Sequence, residues 1–142
     1  MTESSKDPTK PVPLPDELTV PFWEATSQHR LEIQRCRKCW YYNHPPQPLC
    51  DGCGSEELDF EAVSGKGAIY SYTVMRQRNV KGFESEVPYL NVIVELDEQP
   101  MLFMITNLLG AGLDDAKIGR RVEVTYEERD EVTLPQFRLA GE

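Results

Sequence analysis

Four cysteines are the residues of this chain whose type and spacing most directly imply chemistry. They form two C-x-x-C pairs, Cys36/Cys39 and Cys50/Cys53, inside the stretch "RCRKCWYYNHPPQPLCDGCGS". Each pair makes a tight knuckle that aims two sulfurs at one centre. Four thiolates then complete the tetrahedron that a structural zinc prefers. Gly52 and Gly54 suit the tight backbone of the second knuckle. Iron shares this sulfur geometry and stays as an alternative. Disulfides fit poorly, because the opening residues "MTESSKDPTKP" hold no apolar signal core and thiols stay reduced in chains that are not exported. A redox C-x-x-C comes singly, ahead of a helix. The expectation is therefore one structural Zn2+ held by Cys36, Cys39, Cys50 and Cys53, with His44 a loop residue between the pairs.

A four-thiolate site is sealed. It has no open position for water or substrate, so it cannot act as a Lewis acid. Its role would be to replace the core that a short segment lacks, contributing on the order of 10 kcal/mol of folding free energy. Trp40, Tyr41 and Tyr42 follow the first knuckle and could shield it or touch a partner. Little else suggests catalysis. The histidines are His29 and His44, and no glycine-rich phosphate loop or G-x-S-x-G is present. Asp114-Asp115 and Glu127-Glu128 are adjacent pairs, which a strand would point to opposite faces. The chain is not expected to do chemistry on its own.

The elements that would position these residues read as mainly β. Residues 1–15, with four prolines, read as an extended arm. Residues 16–30 read as short helical pieces, with Thr19 as cap and Pro21 in the first turn. Phe22 and Trp23 there would pack on their own domain or on another chain. Residues 31–60 form the ribbon, with Leu31–Arg35 and Leu58–Val63 alternating like strands. Residues 61–142 hold five β-type runs: "GKGAIYSYTVM", "YLNVIVEL", "MLFMITNLL", "RVEVTYEE" and "FRLA". Turns are signalled at Lys81-Gly82, at 97–100 and at 110–112, and Leu113–Ile118 suggests one helical turn ending at Gly119. This pattern fits a five-stranded OB-fold barrel, with an SH3-like barrel as the alternative. Tyr70, Tyr72 and Val74 are expected on one face of the first barrel strand. Several runs are apolar on both faces, which suggests burial against another protein at residues such as Tyr70 and Tyr72.

Length and charge bound the function. The chain has 142 residues and a net charge of −9. Residues 1–60 carry 10 acidic and 6 basic groups, and residues 61–142 carry 14 and 9. Neither half has the basic surplus of a nucleic-acid binder, although Tyr70 and Tyr72 could stack bases. Arg76, Arg78 and Lys81 form a small basic cluster that could hold the phosphates of coenzyme A. No apolar run approaches the ~20 residues needed to span a bilayer, so the expectation is a soluble cytoplasmic protein.

The order of these motifs resembles a prokaryotic family. "PFWEA", "LEIQRCRKCWYYNHPPQPLCDGCGS", "GKGAIYSYTV", "PYLNVIVELDE", "IGRRVEVTYEE" and "PQFRLA" run from about Leu14 to Ala140. Members of that family join a rubredoxin-like zinc ribbon to a C-terminal OB-fold. The four cysteines match its zinc positions one for one, while Asp51 stands where proline is common. The resemblance implies an accessory subunit bound to a thiolase-superfamily enzyme acting on acyl-CoA thioesters. Such partners include thiolases, acyltransferases and aldolases of steroid side-chain degradation, and they carry the catalytic residues. An acyl-CoA-binding protein in its own right and a nucleic-acid-binding OB-fold are the alternatives.

Overall fold

The structure, a computed structural model, describes residues 13–76 and 87–140. The first twelve residues of the expected arm lie outside it, as do Arg78, Lys81 and the Lys81-Gly82 turn. The described chain runs as α1 (Val20–Ser27), β1 (Glu32–Cys36), β2 (Tyr42–Asn43), β3 (Leu58–Ala62), β4 (Lys66–Met75), β5 (Tyr89–Leu96), β6 (Phe103–Leu109), β7 (Arg121–Arg129) and β8 (Val132–Leu139). No helix among the described residues is long and apolar enough to cross a membrane.

One helix forms where two pieces were expected. Pro21 sits in its first turn, where a missing N–H is harmless. Thr19 is the capping residue by position, but its hydroxyl accepts from the Asp16 N–H behind it rather than from the helix. Asp16 does the capping work nearby, its Oδ1 accepting from the N–H groups of Leu18 and Thr19. Phe22, Ala25 and Thr26 fall three and four residues apart and form the buried stripe. The helix ends in a Schellman pattern: Arg30 N–H donates to Ala25 O and His29 N–H to Thr26 O. His29 holds the left-handed position, φ 60°, usually given to glycine. Its ring stacks on Tyr126 at 4.7 Å, and Nε2 meets Glu128 at 3.2 Å. These contacts anchor the helix end to β7.

The ribbon is a three-stranded sheet in the order β2-β1-β3, all antiparallel. Its loop is tied down by side-chain amides that mimic a ladder. Gln34 Nε2 donates to Gln47 O while Gln47 N–H donates to Gln34 Oε1, each at 2.9 Å. The ribbon leans on the barrel through the 97–100 turn. Gln99 accepts from the Tyr42 N–H and donates to its carbonyl, at 2.9 and 3.1 Å.

The five expected barrel strands are present, and their ladders run β4-β5-β6-β8-β7 and return to β4. The β6–β8 seam is thin, with two parallel pairs, Leu108↔Phe137 and Leu109↔Arg138. Side chains extend it: Gln136 Oε1 accepts from the Thr106 hydroxyl at 2.7 Å and from the Asn107 N–H at 3.0 Å. A 3-10 turn at Leu113–Asp115 connects β6 to β7, shorter than the expected 113–118 turn. β8 begins five residues before "FRLA" and contains Pro135, paired with Tyr126. β5 alternates strictly between half-buried and buried residues, and Ile69, Val92, Val94, Leu96, Val122 and Phe137 are at most 1% exposed. Phe22, Leu31, Ile33 and Tyr42 belong to the same buried cluster.

The expected faces of β4 need correction. The register shifts between Ile69 and Ser71, so Tyr70 is an extra residue. Ile69, Tyr72 and Val74 pair with Val94, Val92 and Leu90 and therefore share one face. Tyr70 instead meets Phe103 on the outside, at 4.5 Å between rings. A one-residue bulge flips the alternation, so Tyr70 and Tyr72 do not share a face.

Candidate metal centre and its surroundings

The four sulfurs lie within 4.8 Å of one another. Cys36 and Cys53 are 3.7 Å apart at Sγ, and Cys39 and Cys50 are 3.6 Å apart. A tetrahedron with Zn–S bonds of ~2.3 Å has S···S edges of about 3.8 Å, whereas a disulfide needs ~2.05 Å. The spacing fits a shared cation and excludes bonded sulfurs. The two knuckles repeat one hydrogen-bond pattern. Trp40 N–H donates to Cys36 O and Gly54 N–H to Cys50 O, while Cys36 N–H donates to Tyr41 O and Cys50 N–H to Ser55 O. Both fourth-after positions are left-handed, Trp40 at φ 69° and Gly54 at φ 79°. At Gly52 an added Cβ would stand 3.0 Å from Tyr41 Cγ, so the Tyr41 ring lies over the second knuckle.

Electrostatics agree with thiolates around a dication. The Lys38 and Cys39 N–H groups each reach Cys36 Sγ at 3.3 Å, and Gly52 N–H reaches Cys50 Sγ at 3.2 Å. Led by the Cys39 N–H, these donors hold the Cys36 thiol down to about 6. The Tyr41 backbone pulls Cys39 the same way, but burial and the neighbouring sulfurs outweigh it and push that thiol up to about 12. Four sulfurs crowd this centre, and a divalent cation would let all four ionise. The residues fit one structural Zn2+ with every coordination position filled by sulfur. That metal fixes the ribbon and has no position left for a substrate.

The remaining expected site residues are dispersed. Phe22 is 5% exposed and packs edge-on against Trp23 at 4.9 Å, so its ring is not available at the surface. Trp23 is half-buried against the core. Tyr70 and Tyr72 are 47% and 41% exposed. Arg76 is exposed at the end of β4, and the other two members of its cluster lie outside the described residues. Trp40 and Tyr41 are exposed while Tyr42 is buried, with the Arg35 guanidinium 4.4 Å over its ring.

Two further features surround the expected site residues. The outer face of β4-β5-β6 carries Tyr70, Ile93, Phe103 and Ile105, with Ile93 directly opposite Ile105 and Ile105 72% exposed. The other is His44, which lines a cleft between α1, the ribbon loop and the barrel. Burial pushes its imidazole down to about 4. The first is the outer side of runs that the sequence shows to be apolar on both faces, and the second depends on a contact between segments far apart in sequence.

Residues 23–59 match the family described as "ChsH2, rubredoxin-like zinc ribbon domain", and residues 60–127 match "ChsH2, C-terminal OB-fold domain". A solved structure titled "Ltp2-ChsH2(DUF35) aldolase" holds a chain that superposes with a TM-score of 0.82 at 38% identity, covering 92% of this chain and all of that one. The chain belongs to the ChsH2 family. Longer proteins are also similar to this chain. A "Probable enoyl-CoA hydratase alpha subunit" from Thermomonospora curvata is 39% identical over 140 residues, 98% of this chain and 43% of that protein. The present chain thus spans less than half of that relative. A "DUF35 domain-containing scaffold protein" from Methanocaldococcus jannaschii is 29% identical, covering 80% of this chain and 79% of that protein.

Proposed function

We propose that this chain is a non-catalytic scaffold subunit of a thiolase-superfamily enzyme acting on acyl-CoA thioesters in the cytoplasm. The favoured partner is an aldolase, a carbon–carbon lyase of steroid side-chain degradation. The observation that carries this reading is the outer face of β4-β5-β6. Tyr70, Ile93, Phe103 and Ile105 form one apolar patch there, and among the described residues Ile105 and Tyr70 stay exposed. Patches of this kind mark protein contacts. The sealed metal supports the same reading, since it gives structure and no reactive position. A structure with a matching chain carries the name of an aldolase in its title, and a matching relative is named a scaffold protein.

Co-expression with a thiolase-superfamily aldolase from the same organism tests the proposal. The two should co-elute as a complex. Ile105→Asp should abolish co-elution while keeping the zinc content and melting temperature of the parent. A chain that elutes alone beside a folded enzyme would sink the reading.

A further inference from the structure

A cleft of about 400 Å³ opens between α1, the His44–Pro46 turn of the ribbon and strands β6 and β8. That size is within the range of small-molecule sites. Its walls are largely apolar, with Trp23, Pro45, Pro46, Ile105, Leu134 and Pro135 among them. Several polar groups of the lining are already engaged within the protein. Thr106 and the Asn107 N–H donate to Gln136, the Asn107 amide donates to Leu90 O, and Gln136 donates to Glu127. Arg129 is paired with Glu127 at 2.9 Å, so its charge is compensated. A ligand carboxylate or phosphate would find no spare cation there.

His44 differs from these groups. Its Nδ1 is buried with no hydrogen-bond partner among the described residues. Burial keeps the ring neutral, and a neutral imidazole carries one proton. At Nδ1 that proton would be a buried N–H without an acceptor, an arrangement proteins strongly avoid. The proton therefore belongs on Nε2, and Nε2 is not among the enclosed orphan atoms. The ring is held against Phe22 at 5.4 Å between centroids, so the donor is fixed in place. The cleft thus combines mostly apolar walls, in which Thr19 and Asn91 also take part, with a positioned, uncharged hydrogen-bond donor at His44.

We propose that this cleft is a binding site for a compact, uncharged apolar molecule that bears a carbonyl oxygen, with the oxygen accepting from His44 Nε2–H. The hydrocarbon body lies between Trp23, the two prolines of the ribbon and Leu134. This assigns a ligand site to the scaffold chain itself, at the junction of its three structural parts and away from the zinc.

The fluorescent ketone prodan is a suitable probe, with ketone-free dimethylaminonaphthalene as its control. The full chain should bind prodan saturably at one site, with a blue-shifted emission, and about tenfold more tightly than the control, the worth of one hydrogen bond. His44→Phe keeps a flat ring without the donor, and it should erase that preference. Leu134→Trp should fill the cleft and abolish binding of both probes. Zinc content and melting temperature identify variants that fold. If His44→Phe does not fold, the ketone preference of the parent chain decides, and the absence of a preference overturns the proposal. Non-saturable binding, or unchanged affinity in Leu134→Trp, also overturns it. So does expulsion of prodan by the co-expressed partner enzyme, which would make the cleft a protein groove.

Discussion

The ribbon and the barrel hold their strands by different means. Ribbon strands of five, two and five residues enclose little of their own. Its buried apolar residues, Leu31, Ile33 and Tyr42, join the cluster that the barrel builds. What belongs to the ribbon alone is the four-sulfur centre. The barrel has strands of seven to ten residues and an interior that includes Ile69, Val92, Val94, Val122 and Phe137. Order in the ribbon is local and chemical, and in the barrel it is distributed and apolar. The ribbon should therefore fail abruptly when one ligand is lost, and the barrel in proportion to the volume removed.

The largest expected effect comes from the metal. Chelation of zinc, or Cys36→Ser, should remove on the order of 10 kcal/mol of stabilisation from the ribbon. Amide exchange should then show β1 to β3 open while β5 and β6 stay protected. Simultaneous loss of protection in all of them would show that ribbon and barrel form one cooperative unit, and would end the distinction.

Phe137→Ala attacks the other region. Phe137 is fully buried on β8, and Phe→Ala in a packed core costs about 3–5 kcal/mol. Denaturant titration should show this loss with metal content unchanged. A fall in bound zinc would mean that the barrel interior also shapes the sulfur site.

These regions were not equally legible in the sequence. The sulfur site could be read because spacing alone determines it: two residues between each pair place the sulfurs, whatever surrounds them. β5 could be read because buried and half-buried residues alternate without a break. β4 was misread because a bulge at Tyr70 leaves no mark on composition, yet it moves Tyr72 to the opposite face. β8 runs further back than "FRLA", because its first half, "VTLPQ", mixes polar residues with Pro135, whose missing N–H is tolerated beside Tyr126. His44 and the cleft were out of reach. They arise where residues from α1, the ribbon loop and β8 meet, and no local pattern encodes that meeting.

Gln99 tests the joint between the two regions. Its amide satisfies both backbone groups of Tyr42, a residue 6% exposed. Gln99→Ala should leave them without those partners and cost about 1–3 kcal/mol. If the regions are energetically distinct, the loss should appear in ribbon protection first. An equal loss in both would place the joint inside a single unit.

The smallest effect compares the two knuckles directly. They share a hydrogen-bond pattern and a left-handed fourth-after position, which glycine fills in one and tryptophan in the other. A non-glycine residue in that region costs about 1–3 kcal/mol. At Gly54 nothing lies within 4 Å of an added Cβ, so Gly54→Ala should cost about 1–2 kcal/mol from backbone strain alone. Trp40→Gly removes the same strain but also removes an indole stacked under Arg35 and Arg37, at 5.4 and 5.7 Å. Those contacts contribute about 0.5–1 kcal/mol each at an exposed site. Glycine also frees the unfolded chain, by a further ~0.5–1 kcal/mol. The opposing effects nearly cancel, so Trp40→Gly should change zinc-bound stability by less than about 1 kcal/mol. A clear gain would show that the indole is kept for something other than stability, and with half of Trp40 exposed, a partner surface is where it would act.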